Sequence, residues 1–295
     1  MSGDEGKVTT GEVSANGIDF GYLEAGAGPL ALCLHGFPDT AWGWRHLLPA
    51  LADAGFHAVA PFLRGYAPTS LDPEGRYQSG ALVRDAIALH DAFGGDADAV
   101  IVGHDWGAMA TYGAAAFAPE RWCRVVTAAV PPLGSLASAM LTYEQLRRSW
   151  YIFFFQNPLA DVAVGMNDLE FIARLWQDWS PGYDATADVA HVRDALGEPE
   201  HLSAAIGYYR AMLQPELLRP ELQPEQNACN EPTPQPTLYL HGADDGCMSV
   251  EWAAGALAFL PAEGSRVEIV PDAGHFLQLE QPDLFNRLVV EHLTH

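Results

Sequence analysis

Asp105 is the residue whose type and setting point most directly to chemistry. It lies between Gly103 and Gly107, directly after the apolar run 100–102, and the alanine-rich segment 108–116 favours a helix. Strand, tight turn and helix in this order form the setting of a nucleophile elbow, in which glycines let the turn close against its strand. A helix-capping aspartate needs neither the glycines nor the buried strand. We therefore expect Asp105 at the tip of the turn, where this motif normally holds a serine.

A carboxylate in that position favours attack on a saturated carbon. An aspartate with a pKa near the reference value of about 3.9 is already an anion at neutral pH, so Asp105 needs no base to activate it. Attack on an ester or amide carbonyl would give a labile anhydride, whereas displacement of a leaving group from an sp3 carbon gives an alkyl ester of the enzyme. The two obvious classes of compound with such a carbon are epoxides and alkyl halides.

Two later segments carry a candidate acid and a candidate base. Asp244 and Asp245 follow the strand-like run 237–240, and His275 follows the run 266–270. Functional side chains of open α/β sheets gather at the carboxyl ends of the strands, and nucleophile, acid, histidine is one of the chain orders of catalytic triads. We therefore predict that His275 is a base and that Asp245 orients it. Asp244 stays open as the alternative acid.

The backbone N–H groups of Phe37 and Trp106 are the expected donors of an oxyanion hole. Segment 35–39 comes directly after the apolar run 30–34, and Trp106 follows the proposed nucleophile. In this type of site one donor comes from the loop after such a strand and the other from the residue after the nucleophile. The alternative for 35–39 is a simple Gly-Pro turn. Segment 64–66 is expected to shape the core near the site, without a chemical role.

The elements that must position these residues alternate along the chain. Short β-branched runs are separated by amphipathic or alanine-rich stretches, which predicts an α/β fold with a mostly parallel sheet and helices on both faces. The strand-like runs are 30–34, 57–60, 99–102, 124–130, 237–240 and 266–270. An antiparallel hairpin is expected over 12–22, around Asn16-Gly17, and a helix over about 282–291.

The middle of the chain differs from this pattern. Between about 133 and 222 aromatic residues recur at helical spacing, and prolines crowd 215–236. We interpret this part as a helical insertion that returns through a proline-rich linker. The predicted division is therefore a core in two parts, 1–132 and 233–295, and a helical cap over 133–232.

Charge and hydropathy restrict the partners. There are 38 acidic and 15 basic residues, for a formal net charge of −23, and nucleic acids and anionic membranes repel such a polyanion. No apolar run approaches the roughly 18 residues of a membrane span, and the acidic start does not resemble an export signal. We expect a cytoplasmic protein without nucleic acid or membrane partners. The four cysteines lack metal-ligand spacing and are expected to be reduced thiols.

The motifs together resemble the epoxide hydrolases of the α/β-hydrolase fold, a sister group of the haloalkane dehalogenases. The resemblance covers almost the whole chain and rests on segments 35–38, 64–66, 103–107 and 272–276. It implies a mostly parallel eight-stranded sheet flanked by helices, with the insertion as the cap domain. It also implies a small-molecule epoxide as substrate and no metal or organic cofactor. Whether the protein forms a homodimer is a question that the sequence leaves open.

Two cap tyrosines bind the epoxide oxygen in that family and protonate the opening alkoxide. Segment 149–158 resembles the first tyrosine segment and points to Tyr151. Tyr208-Tyr209-Arg210 resembles the second, in which the tyrosine before the arginine, Tyr209, is the usual choice. Tyr208 stays an alternative at this position.

The reaction implied by the resemblance has two half reactions and three rivals. Asp105 opens the epoxide to a hydroxyalkyl ester, and water activated by His275 hydrolyses this ester to a vicinal diol. A haloalkane dehalogenase would share Asp105, His275 and Trp106 but normally has a second halide-binding side chain, such as Asn or Trp, in the region of Phe37. A haloacetate dehalogenase normally has arginine where this chain has Trp106. A non-catalytic binding module would have no reason to combine these residues.

Overall fold

The computed structural model describes residues 8–136 and 140–295, and an eight-stranded sheet forms its centre. The strands lie in the order β1-β2-β4-β3-β5-β6-β7-β8. Their bounds are Thr9–Ala15 (β1), Ile18–Gly26 (β2), Leu30–Leu34 (β3), His57–Pro61 (β4), Val100–His104 (β5), Arg124–Ala128 (β6), Thr237–Gly242 (β7) and Arg266–Val270 (β8). The pairs β1–β2 and β2–β4 are antiparallel, and β3 to β8 pair in parallel. The prediction of a mostly parallel eight-stranded sheet is confirmed.

The hairpin at the start of the sheet is also as predicted. Ala15 pairs with Ile18, so Asn16 and Gly17 form a two-residue turn. Both turn residues have a positive φ, 50° and 74°. Asn and Gly tolerate this conformation best, and turns of this kind match the twist of the flanking strands.

The central strands bring the candidate site residues to one edge of the sheet. Every residue of β3, β5 and β7 is buried, as parallel strands covered on both faces require. Strand β6 ends at Ala128, two residues earlier than predicted, because Ala129 takes a positive φ of 66°. The loops after β3, β5, β7 and β8 all leave from the carboxyl edge of the sheet.

Helices cover the sheet and form the insertion. Those outside the insertion are Leu47–Asp53 (α1), Ser79–Ala92 (α2), Trp106–Phe117 (α3), Ala253–Ala256 (α11), Leu277–Glu280 (α12) and Pro282–Thr294 (α13). Those between β6 and β7 are Leu133–Leu136 (α4), Tyr143–Arg148 (α5), Trp150–Phe154 (α6), Ala160–Trp179 (α7), Thr186–Leu196 (α8), Pro199–Leu213 (α9) and Gln223–Ala228 (α10). Helix α2 packs against α3, and α1 packs against α13. None of the described helices is both long and apolar enough to span a membrane.

The helical insertion is confirmed, and its proline-rich end begins with helical turns and continues without helix over 231–236. Pro215 and Pro220 each begin a short 3₁₀ helix, and α10 follows directly. Proline fixes φ near the helical value and suits the first helical position, so prolines start turns here. Helix α10 packs on α2 and α3 of the core. The exact domain bounds, 1–132, 133–232 and 233–295, stay a prediction.

The long insertion helix α7 contacts the loops that carry the candidate site. Its backbone leaves the helical conformation over 166–169. Trp176 donates its indole N–H to the carbonyl oxygen of Pro38 at 2.9 Å. The carbonyl oxygen of Trp179 accepts hydrogen bonds from the backbone N–H groups of Gly246 and His275, each at 3.0 Å. The end of α7 is therefore fixed to the loops after β3, β7 and β8.

Candidate active site

Asp105 lies in the strained turn that its flanking glycines indicate. Its φ and ψ are 51° and −117°, between the end of β5 and the start of α3. A Cβ on Gly103 would lie 2.2 Å from the carbonyl oxygen of Gly107, and one on Gly107 would lie 2.0 Å from that of Leu34. Neither position can hold a side chain without displacing backbone. The tight turn thus holds the Asp105 carboxylate at the carboxyl edge of the sheet.

Asp105, His275 and Asp245 come together behind this turn. The Nδ1 atom of His275 is 3.0 Å from Oδ2 of Asp245, and its Nε2 atom is 3.7 Å from Oδ2 of Asp105. All three side chains are buried. Asp244 is exposed, so the geometry favours Asp245 over Asp244 as the partner of His275.

Backbone donors fix the Asp245 carboxylate. Its Oδ1 accepts hydrogen bonds from the N–H groups of Cys247 and Met248, at 2.7 and 2.8 Å. Its Oδ2 is left for His275. One oxygen thus holds the acid in place, while the other orients the imidazole.

One donor of the candidate oxyanion hole already contacts the Asp105 carboxylate. The N–H of Phe37 donates to Oδ1 of Asp105 at 2.7 Å. A Cβ on Gly36 would lie 2.4 Å from this oxygen and 2.7 Å from the backbone nitrogen of Trp106. The absent side chain of Gly36 therefore lets the Phe37 loop approach both Asp105 and the Trp106 amide.

Tyr151 and Tyr209 reach the same site from the insertion. They lie on α6 and α9, are buried, and have ring centroids 5.6 Å apart. The Tyr151 hydroxyl lies 3.4 Å from Sγ of Cys247, and within the described residues the Tyr209 hydroxyl has no hydrogen-bond partner. The Tyr208 hydroxyl instead donates to the carbonyl oxygen of Arg64 at 2.7 Å. Tyr208 therefore joins the insertion to the core, and the geometry favours Tyr209 as the second pocket phenol.

An apolar pocket of about 280 Å³ is lined by Asp105 together with the two tyrosines of the insertion. Its lining comprises Asp105, Trp106, Met109, Val130, Leu133, Leu136, Met140, Tyr151, Ile152, Tyr209, Met212, Asn230, Cys247 and Met248. Four of the six methionines of the chain are among them. Among the described residues that line the pocket, Asp105 is the only charged one. Met212 and Asn230 are exposed, so the pocket reaches the surface at their end.

Two carboxylates stabilise a proton on His275. Burial alone would lower the pKa of this imidazole, but the charges and hydrogen bonds of Asp245 and Asp105 raise it to about 10. Burial opposes ionisation of Asp105, yet His275, His104 and the Phe37 N–H together lower the pKa of its carboxyl. The pKa of Asp245 is lowered in the same way, against burial, by His275 and backbone donors. At neutral pH the free site holds two carboxylates and one imidazolium.

The two pocket tyrosines remain phenols at neutral pH. Burial, followed by neighbouring groups that include the Asp105 carboxylate, raises the pKa values of Tyr151 and Tyr209 well above 10. Both hydroxyls therefore retain their protons beside an anionic carboxylate. They can donate hydrogen bonds to one oxygen of a bound molecule.

Asp245, Cys247 and His275 are close enough to hold a metal ion, but their chemistry does not suit one. One ligand atom from each lies within 4.8 Å of the others. The Asp245 carboxylate already pairs with His275, and burial followed by the charges of Asp245 and Asp105 raises the pKa of the Cys247 thiol well above 9. A metal takes the thiolate, which this surrounding disfavours.

Sequence reasoning missed Cys247 as a pocket residue. Cys247 is two positions after Asp245, in the loop after β7 that carries the candidate acid. This spacing could have indicated that Cys247 lies at the site. Sequence reasoning also missed two buried histidines near His275 and Asp245. His104 lies 2.9 Å from the His275 carbonyl oxygen, and His241 lies 3.7 Å from the Asp245 carboxylate.

Comparisons with known proteins agree with this architecture. The family model described as alpha/beta hydrolase fold matches residues 29–282. The chain is 29% identical to AB hydrolase superfamily protein YfhM of Bacillus subtilis, over 95% of this chain and 96% of that protein. It is also 29% identical to epoxide hydrolase A of Mycobacterium tuberculosis, over 98% of each. A crystal structure of Bacillus megaterium epoxide hydrolase in complex with an inhibitor has a TM-score of 0.82, with 25% identity over 97% and 100% of the two chains. The chain belongs to the alpha/beta hydrolase fold family.

Proposed function

We propose that this protein is an epoxide hydrolase that converts an uncharged epoxide and water to a vicinal diol through an ester on Asp105. The observation that carries the proposal is the pair of buried phenols, Tyr151 and Tyr209, that line one pocket with this carboxylate. An epoxide is the substrate class whose leaving oxygen stays attached to the product and must be protonated. The relatives named epoxide hydrolases support the same substrate class.

In the first half reaction the epoxide lies between the tyrosines and Asp105. The Tyr151 and Tyr209 hydroxyls donate hydrogen bonds to the ring oxygen, and an oxygen of Asp105 attacks one ring carbon from the opposite side. The C–O bond of the ring breaks, its oxygen takes up a proton, and a hydroxyalkyl ester forms on Asp105. General acids in such a position typically contribute about 10²–10⁴ in rate.

In the second half reaction His275, oriented by Asp245, takes a proton from water. The hydroxide adds to the carbonyl carbon of the Asp105 ester, so the oxyanion forms on the enzyme's own carboxyl group. The N–H groups of Phe37 and Trp106 stabilise this oxyanion, and loss of one such donor costs about 2.7–4 kcal/mol. Collapse of the adduct releases the diol and restores the Asp105 carboxylate.

Over the two half reactions the enzyme gains and loses the same number of protons. The free enzyme carries imidazolium at His275, because Asp245 and Asp105 raise its pKa to about 10. Ester formation removes the charge of Asp105, so His275 loses its proton while the ring oxygen gains one. The neutral imidazole is then the base that the second half reaction needs. Hydrolysis returns the carboxylate to Asp105 and a proton to His275.

The geometry supports a halide-releasing reaction less well. A departing halide ion needs two N–H donors from side chains. Trp106 lines the pocket, but Phe37 presents a phenyl ring packed 5.2 Å from the ring of Tyr209 in place of a second donor. A haloacetate would need a cation for its carboxylate, and Asp105 is the only charged residue of the described pocket lining. The two phenols also have no task in either reaction.

A substrate panel tests the proposal. Purified protein and its Asp105→Asn variant are incubated with terminal and internal epoxides and with chloro- and bromoalkanes of matched size. Diol is measured by mass spectrometry and halide by ion chromatography. We expect diol from uncharged epoxides with the native protein only, and no halide above the Asp105→Asn background. Halide release without diol formation would contradict the proposal.

A further inference from the structure

Cys247 joins the triad acid to the insertion through three separate contacts. Its backbone N–H donates to Oδ1 of Asp245 at 2.7 Å, and its carbonyl oxygen accepts from Nε2 of Gln145 at 2.9 Å. Its Sγ atom lies 3.4 Å from the hydroxyl of Tyr151. The side chain is buried and lines the pocket. One residue of the loop after β7 thus contacts both the acid of the second half reaction and a phenol of the first.

The chemistry of ring opening fixes the direction of the contact between Cys247 and Tyr151. A tyrosine has one O–H proton, and the proposed function requires Tyr151 to direct it at the ring oxygen. The sulfur must then be the donor and the phenol oxygen the acceptor, which both groups permit. Burial, together with the charges of Asp245 and Asp105, raises the pKa of Cys247 and keeps its proton in place. A neutral thiol is also a poor nucleophile, so it does not compete with Asp105 for the epoxide.

We infer that Cys247 is a positioning residue for Tyr151, donating its S–H to the phenol oxygen so that the phenolic proton points into the pocket. The inference rests on the proposed function, in which Tyr151 protonates the opening ring. When that proton leaves, the same S–H stabilises the phenolate that forms on Tyr151. The thiol itself gains and loses no proton. Cys247 therefore affects ring opening through its side chain, whereas its contact with Asp245 uses only the backbone.

A purely structural role for Cys247 makes different predictions. If the side chain only fills the pocket wall, loss of volume matters and the loss of the S–H does not. Serine keeps a donor in a smaller side chain, and alanine keeps no donor. Threonine and valine have the same shape and differ in the hydroxyl alone, so they separate donor from volume. Cys123, which is exposed and does not line the pocket, serves as a control.

Single-turnover kinetics test the role in ring opening. The ester-forming and ester-hydrolysing rates are followed by tryptophan fluorescence, with an epoxide identified in the substrate panel. We expect Cys247→Ala and Cys247→Val to slow ester formation about five- to tenfold, the effect of one neutral hydrogen bond, and to change hydrolysis less than about twofold. Cys247→Ser and Cys247→Thr should recover most of the rate, and Cys123→Ala should match the native protein. Equal slowing by the alanine and serine variants and by the threonine and valine variants would overturn the inference.

A double-mutant cycle shows whether Cys247 acts through Tyr151. In a Tyr151→Phe background the phenol oxygen is absent, so Cys247→Ala should have no further effect on ester formation. An undiminished effect of Cys247→Ala in that background would mean that the cysteine acts elsewhere, and would overturn the inference.

The S–H stretching band tests the hydrogen bond without reference to activity. The band of Cys247 is identified in the infrared spectrum by subtracting that of Cys247→Ser. We expect it to shift to higher frequency in Tyr151→Phe, because the thiol loses its acceptor. An unchanged band would overturn the inference even if epoxides are turned over. A shifted band in a protein that forms no diol would uphold the hydrogen bond and contradict the proposed function instead.

Discussion

In the proposed reaction, the position of His275 between two carboxylates determines when it can act as a base. With Asp105 and Asp245 both ionised, the pKa of His275 is raised to about 10, and the imidazole holds its proton at neutral pH. Once Asp105 is esterified, only one of these charges remains. We therefore expect the pKa of His275 to fall, so that the proposed base becomes available in the half reaction that needs it.

This charge change predicts a pH dependence for ester formation. Because the pKa of Asp105 is lowered and that of His275 is raised, the reactive carboxylate–imidazolium pair persists from mildly acidic pH up to alkaline pH. In single-turnover fluorescence, the ester-forming rate should be flat over this range and fall as the pH passes about 10. Above that pH His275 no longer holds the proton that it releases in the proposed reaction while the ring oxygen gains one. The fall should be absent in His275→Gln. A fall centred near the ordinary histidine value of 6.5 would contradict this account.

The two phenols of the pocket are expected to donate hydrogen bonds to the same ring oxygen, so each should contribute part of the rate of ester formation. Tyr151→Phe and Tyr209→Phe should each slow ester formation about 10–100-fold, and the double variant should approach the full general-acid contribution of about 10⁴. Tyr143→Phe, at an exposed position, is the control and should behave as the native protein. The rates are measured in single turnovers with a panel epoxide. A double variant with a near-native rate would show that the phenols take no part in ring opening.

For single residues, the sequence predicts the site best where neighbouring residues in the chain indicate it. The glycines beside Asp105 and the acid and histidine after two strands indicate residues that the structure brings together. The choice of Asp245 over Asp244 needed burial, since neighbouring residues in a turn face opposite ways. Cys247 could not be related to Tyr151 from the sequence, because the two residues are 96 positions apart and touch only through the fold.

Helix α9 carries two adjacent tyrosines, of which Tyr209 lines the pocket and Tyr208 contacts the core. The Tyr208 hydroxyl donates to the carbonyl oxygen of Arg64. The Nε and Nη2 atoms of Arg64 donate to the Asp85 carboxylate, at 2.6 Å each, and its Nη1 atom donates to Asp72 at 3.2 Å. This buried charge network fixes the loop after β4, and the loop in turn fixes the helix. Tyr209 is thereby held over the pocket.

We therefore expect Tyr208→Phe to affect mainly the stability of the protein and Tyr209→Phe to affect mainly the reaction rate. Tyr208→Phe removes a buried hydrogen bond and leaves a carbonyl unpaired, so we expect a loss of about 1–2 kcal/mol in the free energy of unfolding and at most a severalfold loss of rate. Tyr209→Phe removes a hydroxyl without a partner in the described structure, so we expect no loss of stability but a large loss of rate. Urea unfolding and single-turnover kinetics check the pair. The reverse pattern would show that the two tyrosines had been assigned the wrong way round.

The elements themselves were predicted with uneven success. Hydrophobic runs located six of the eight strands, and the Asn-Gly turn located the hairpin that contains the other two. The early end of β6 depends on the backbone conformation of Ala129, which no residue type at that position signals. The prolines over 215–236 suggest a linker, whereas Pro215 and Pro220 each begin a helical turn, because proline fixes φ near the helical value.

Across the whole molecule, charge and pocket lining predict the kind of epoxide that is accepted. The chain carries a formal charge of −23, and the pocket adds the buried Asp105 carboxylate and no described cation. An epoxide with a free carboxylate should have a kcat/KM at least about tenfold below that of its methyl ester. The ratio should shrink, without vanishing, as salt screens the surface charges. Preference for the acid over its ester would contradict this reading of the pocket.

The central claim is that turnover passes through an ester on Asp105, and trapping that ester tests it most directly. His275→Gln should still be alkylated by substrate but should release diol very slowly, because no base activates the water. Intact-protein mass spectrometry should then show an added mass equal to that of the epoxide. Digestion should place it on the peptide that contains Asp105, and His275→Gln combined with Asp105→Asn should show none. No adduct across the epoxide panel, or an adduct confined to Cys247, would contradict the account.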